Sequence, residues 1–243
     1  MLKNQIATRL FKGFWSALDW VYPPSCAVCG KPGYALCLNC SNEILFISGK
    51  VCALCGVPIH ANRNICQECC EHRTAYDGMR NVAFYGGVIR ECVHALKYQN
   101  NQSLGRIFSE LMLPIVLNAE WHVDIVIPVP LSRERYKARG YNQAAAIARP
   151  LALGLEKPFV PFGLAQIRDT KSQVGLSGEQ RRQNVVGAFK AIQELVNEKN
   201  ILLVDDVMTT GSTMESCAKS LKDAGSRKVY CITIARFLRL NDG

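Results

Sequence analysis

Four C-x-x-C pairs, Cys26/Cys29, Cys37/Cys40, Cys52/Cys55 and Cys66/Cys69, crowd into 44 residues, and nothing else restricts the folds open to this chain so tightly. So short a stretch, with few large apolar side chains, cannot offset its conformational entropy without cross-links. Each C-x-x-C turn aims two sulfurs at one ion, and two turns complete a closed tetrahedral site. The pairs therefore predict two structural zinc centres with these eight cysteines as ligands. Sequential pairing (26/29 with 37/40, 52/55 with 66/69) is simplest; crossed pairing of alternate knuckles is also geometrically possible. His60, His72 and Cys70 lie nearby, but the sulfurs already suffice. Cys92, Cys217 and Cys231 sit in apolar surroundings and read as buried hydrophobes. Close pairing of most of the twelve cysteines points to metal binding in a reducing compartment rather than to a secreted disulfide scaffold, so a cytoplasmic location is expected.

Three segments are expected: an N-terminal amphipathic helix (1–22), the cysteine-rich module (23–75) and a larger domain (76–243). In the first, Ile6, Leu10, Phe14, Leu18 and Val21 recur at helical spacing before Pro23-Pro24 stops the helix. That stripe packs on its own protein or meets a partner or a membrane interface. No run of about 18 apolar residues exists, so no transmembrane segment is expected. Lys3, Arg9 and Lys12 interrupt the N-terminus, which argues against a cleaved signal peptide. The formal charge is +9. Each four-thiolate zinc centre contributes about −2, which leaves the positive excess on the larger domain and fits an anionic ligand.

From Tyr76 onward strands and helices alternate, predicting an α/β domain with a mostly parallel sheet covered on both faces. Strands are expected over 81–85, 124–128, 200–204 and 228–235, and helices over 88–96, 104–117 (interrupted near Pro114), 142–153 and 213–224. The chemistry concentrates at Ile201-Leu202-Leu203-Val204-Asp205-Asp206-Val207-Met208-Thr209-Thr210-Gly211-Ser212-Thr213. An apolar strand ends in two carboxylates, then a turn of hydroxyls and glycine leads into a helix. Such a turn offers backbone N–H groups to an anion, and Gly211 allows close approach. Two acids would repel a ligand that was only phosphate; they suit one with phosphate at one end and sugar hydroxyls at the other. Neither the Walker A nor the G-x-G-x-x-G spacing is present. The run resembles the phosphoribosyl-pyrophosphate (PRPP) loop of type I phosphoribosyltransferases.

Other features fit a diphosphate. Arg133, Arg135, Lys137 and Arg139 follow the strand at 124–128 as an anion-attracting rim or a solvated basic turn. The polar stretch 168–184 reads as a mobile loop, and Lys171, Arg181 and Arg182 are its candidate lid cations. Lys97-Tyr98 places a cation and an aromatic ring at a helix end.

Together the four knuckles, "ALKY", "IPVPLSRERYKARGYNQA", the Gln173–Phe189 stretch and "ILLVDDVMTTGST" resemble the ComF/GntX family over nearly the whole chain. The resemblance implies a Rossmann-like type I phosphoribosyltransferase domain preceded by a small double zinc ribbon. It also implies a role in DNA uptake and natural transformation, or in use of external DNA. By the same resemblance, Asp205 and Asp206 hold the ribose hydroxyls and carry any catalysis. Thr209, Thr210, Gly211, Ser212 and Thr213 hold the 5′-phosphate; Arg133, Arg139 and Lys97 contact pyrophosphate; and Mg²⁺ accompanies PRPP. Two classes of function remain open, a transferase acting on PRPP and a non-catalytic PRPP or nucleotide sensor. Single-stranded DNA and DNA-uptake proteins are the expected partners.

Overall fold

The computed structural model describes residues 24–60, 62–168 and 187–237. The N-terminal stripe of residues 5–22 and the lid cations Lys171, Arg181 and Arg182 lie outside them.

The larger domain is a parallel sheet in the order β1-β6-β5-β2, formed by Gly78–Phe84 (β1), Ile125–Pro128 (β2), Asn200–Met208 (β5) and Lys228–Arg236 (β6). In β5, Ile201, Leu202, Leu203 and Val204 are all fully buried, because both sheet faces are covered. Period-two alternation sends Leu202 and Val204 to one face, with Ile232 and Ile234 beside them. There they pack on helices Gly87–Tyr98 (α3), Ser103–Asn118 (α4) and Gln143–Gly154 (α6). Ile201 and Leu203 face the other way, against Met214, Cys217 and Leu221 of helix Ser212–Asp223 (α8). The antiparallel hairpin Leu164–Gln166 (β3) and Phe189–Ala191 (β4) and the one-turn helix Gln193–Val196 (α7) complete that layer.

Two expectations about local structure are corrected. Helix α4 runs unbroken through Pro114. Glu110, whose carbonyl loses its helical donor there, lies with Pro114 on the exposed face, where water can replace that donor. The strand carrying the paired acids does not end at them but continues to Met208. Its partner β6 is long enough to pair Asp205 with Thr233, Val207 with Ala235 and Met208 with Arg236.

The cysteine-rich segment is a tandem repeat. Cys26 N–H donates to the Lys31 carbonyl and Gly30 N–H to that of Cys26; Cys52 and Gly56 do the same with Val57 and Cys52. Short helices follow the third ligand of each set, Leu38–Ser41 (α1) after Cys37 and Gln67–Glu71 (α2) after Cys66. The module is fused to the sheet. Phe46 bridges Ala83 in antiparallel fashion, with Ile47 N–H donating to the Val82 carbonyl and Phe84 N–H to that of Leu45. The edge of β1 is thereby covered.

Candidate functional site

The cysteines assemble sequentially: Cys26, Cys29, Cys37 and Cys40 in one cluster, and Cys52, Cys55, Cys66 and Cys69 in the other. Within each, the sulfurs lie within 4.8 Å of one another. Zinc bound tetrahedrally at about 2.3 Å from each sulfur requires sulfur–sulfur separations of about 3.8 Å. The Cys29–Cys37 and Cys55–Cys66 pairs stand at 3.7 and 3.6 Å. Backbone N–H groups also point at ligand sulfurs, Cys37 N to Cys26 Sγ at 3.4 Å and Cys66 N to Cys52 Sγ at 3.3 Å. Such donors stabilise thiolate charge. Both clusters fit zinc.

At the carboxyl end of the sheet, continuation of β5 turns the two acids to opposite faces. Asp205 lies on the face of Cys217 and Met214, and Asp206 on the face of α3. Each carboxylate accepts the next backbone N–H, Asp205 from Asp206 and Asp206 from Val207, both at 2.8 Å. Asp206 is buried and paired with Lys97, whose Nζ stands 2.7 Å from its Oδ2. Burial opposes charge on Lys97, but the Asp206 carboxylate outweighs it and holds the lysine pKa above its ordinary value. Burial first, then the neighbouring Asp206 charge, pushes Asp205 up to about 8.

The Thr209-Thr210-Gly211 turn follows Met208. Gly211 takes φ +81°, and a Cβ there would come within 2.9 Å of Met208 Cε, so only glycine fits without strain. The Thr210 and Ser212 hydroxyls hydrogen-bond at 2.7 Å, which folds the turn onto the start of α8; Thr213 lies in the first turn of that helix.

Lys97 also lines a cleft of about 360 Å³ with Tyr98, Asn100, Arg135, Arg139 and Tyr141. The basic stretch 133–139 is a helix (α5, Arg133–Arg139), capped by Ser132 and ended by Gly140 at φ +80°. Helical spacing brings Arg135 and Arg139 to the cleft and leaves Arg133 exposed away from its lining. Arg139 stacks over Tyr98 at 5.2 Å and donates to Gln143 Oε1 at 2.8 Å. The Tyr141 hydroxyl donates to the Leu96 carbonyl, tying the Gly-Tyr-Asn-Gln turn to α3. Arg135 was expected only as one cation of the basic rim, and the role of Tyr141 in tying its turn to α3 was not read from the sequence. The Ser132 and Gly140 caps were the available signal for α5.

The double zinc ribbon domain matches residues 17–70, and the phosphoribosyl transferase domain matches residues 94–239. Competence protein F of Haemophilus influenzae is 30% identical over 209 residues, which is 83% of this chain and 90% of that protein. The chain belongs to the competence protein F family. DNA utilization protein YhgH of Escherichia coli O157:H7 is 28% identical across 86% of this chain and 96% of that protein. Competence protein ComFC of Bacillus subtilis is 26% identical across 85% of this chain and 86% of that protein. The two domain matches follow the order of the described structure, cysteine-rich module then α/β domain. Among the described residues no helix is long and apolar enough to cross a membrane.

The Lys97–Asp206 pair should be worth measuring by substitution. Lys97→Met leaves a buried carboxylate without its counter-ion and should destabilise the protein by about 2–4 kcal/mol at neutral pH in urea unfolding.

Proposed function

We propose that this protein binds PRPP with Mg²⁺ and uses that ligand in competence or DNA utilisation, the roles carried in its relatives' names. The observation that carries the reading is the β5–Gly211–α8 turn, with Asp205 and Asp206 in the strand that leads into it and hydroxyls along it. Asp205 and Asp206 meet the ribose hydroxyls, and residues 209–213 receive the 5′-phosphate. Lys97 and Arg139, joined by Arg135, meet the pyrophosphate in the adjoining cleft. Mg²⁺ enters with the ligand, whose phosphate oxygens it prefers. Eight of the twelve cysteines stand in two four-sulfur clusters, which supports metal binding in a reducing cytoplasm.

Calorimetric titration of the zinc-loaded protein with PRPP and Mg²⁺, with pyrophosphate release followed in the same samples, tests this. Saturable binding is expected; its absence overturns the reading. Release that accelerates with a candidate acceptor identifies a transferase. Binding without release identifies a sensor.

A second reading, contact with single-stranded DNA, is favoured by Tyr98, which is 65% exposed beneath Arg139 and beside the basic helix α5. Base stacking on the ring and phosphate contacts to the arginines would give binding that falls steeply with salt. Undetectable or salt-insensitive binding would rule it out.

A further inference from the structure

A row of polar side chains, half-buried at Asp205 and buried beyond it, crosses the sheet from the acid pair to the second zinc cluster. Asp205 on β5 is the register partner of Thr233 on β6, and Thr233 is the partner of Asn81 on β1. Registered residues in a parallel sheet share a face, so the three side chains stand in line. Thr233 is fully buried and donates through Oγ1 to Asn81 Oδ1 at 2.8 Å. Asn81, also buried, turns its amide nitrogen to the carbonyls of Cys55 and Gly56 at 3.3 and 3.4 Å. Cys55 is a ligand of the second cluster.

A second connection converges on the same carbonyl. Arg236 is buried at the end of β6, and its Nη1 donates to the Cys55 carbonyl at 3.3 Å. Its register partner is Met208, the last residue before the Thr209-Thr210-Gly211 turn, and Phe237 N–H donates to the Met208 carbonyl at 3.0 Å. The contact between the layers is close. A Cβ at Gly56 would meet Asn81 Nδ2 at 2.7 Å and the Met79 carbonyl at 2.8 Å. Zinc fixes the Cys52-x-x-Cys55 turn and hence the position of its carbonyl. Without the metal, a buried amide and a buried guanidinium lose a shared acceptor and must rearrange. Arg236 belongs to β6, which pairs directly with the strand of the acid pair, and Asn81 to β1 on the far side of β6. The corresponding carbonyl of the first cluster, that of Cys29, receives no such donors among the described contacts.

We propose that the second zinc centre positions the ribose-phosphate loop through the Cys55 carbonyl, so that zinc occupancy there and ligand binding at Asp205 are thermodynamically coupled. Asn81, Thr233 and Arg236 are positioning residues in this link. The inference rests on the PRPP reading for its ligand, but the physical link does not.

Coupling is reciprocal, so bound ligand must protect the second zinc in turn, typically by about 5–150-fold. The full-length holoprotein is titrated with a zinc chelator, with and without saturating PRPP and Mg²⁺. Amide exchange of peptides 26–40 and 52–69 reports which cluster empties. With PRPP, about fivefold or more additional chelator should be needed at the second cluster, with a smaller effect at the first. Thr233→Val, nearly isosteric, should remove that preference while both zincs bind, and Thr233→Ser should retain it. Equal protection of both clusters would mean stabilisation of the whole fold, and no protection would mean no link; either overturns the proposal. If calorimetry detects no PRPP binding, the proposed function fails separately. Faster exchange at residues 204–211 when the second cluster is emptied then upholds the link, and unchanged exchange refutes it.

Discussion

Cys52→Ser should leave the protein with one zinc ion per chain instead of two and lower its unfolding free energy by roughly 5 kcal/mol or more, reflecting the free energy of a structural zinc site. Cys52 is fully buried, accepts the Cys66 N–H and belongs to a small apolar cluster with Val57 and Cys69. A serine oxygen neither binds zinc comparably nor fills that space. Metal analysis and urea unfolding read both consequences. Cys70→Ser serves as the contrast, because Cys70 is exposed and outside both clusters. That variant should keep two zinc ions and nearly unchanged stability.

Asp205→Asn should make the protein more stable while abolishing PRPP binding. The sign follows from the direction of the Asp205 shift. Its folded-state pKa, pushed up to about 8, lies well above the ordinary carboxylate value of about 4. Between those values the unfolded chain binds fewer protons than the folded one, so Asp205 makes stability fall as pH rises, until the decline levels off near 8. Asparagine removes that ionisation. The variant and wild type should therefore melt alike near pH 4 and diverge steadily toward pH 8. A gain of about 2 kcal/mol, or roughly 4–8 °C for a chain of this size, is expected there. Wild-type PRPP binding should tighten over the same range, since ribose hydroxyls are better accepted by the ionised carboxylate. A melting difference that does not vary with pH would place the Asp205 charge elsewhere.

What was legible in the sequence is what spacing alone encodes. C-x-x-C turns, the acid pair followed by Thr-Thr-Gly-Ser, and the apolar strand at 201–204 carry their chemistry within a few residues, and each occupies the expected element. What was not legible depends on partners distant in the chain. The partnership of Lys97 with Asp206 joins a helix end to a strand end. The turning of the two acids to opposite faces is imposed by the length of β6. The ribbon's attachment to the sheet runs through the carbonyls of Cys55 and Gly56, and a backbone acceptor leaves no mark on residue identity. Helix α5 is different: Ser132 and Gly140 were readable caps, but four cations in one short run drew attention to charge rather than conformation.

The pairing of β1 with β6 also bears on synthesis at the ribosome. The cysteine-rich repeat is made before the sheet domain and can capture zinc while that domain is still unmade. The strand it docks on then waits for its inner neighbour, since β6 holds the final described strand residues of the polypeptide. During that interval β1 has the ribbon on one side and an open row of backbone donors and acceptors on the other. One flank of β1 is thus covered by a module close to it in sequence, and the other only by a strand about 150 residues further along the chain.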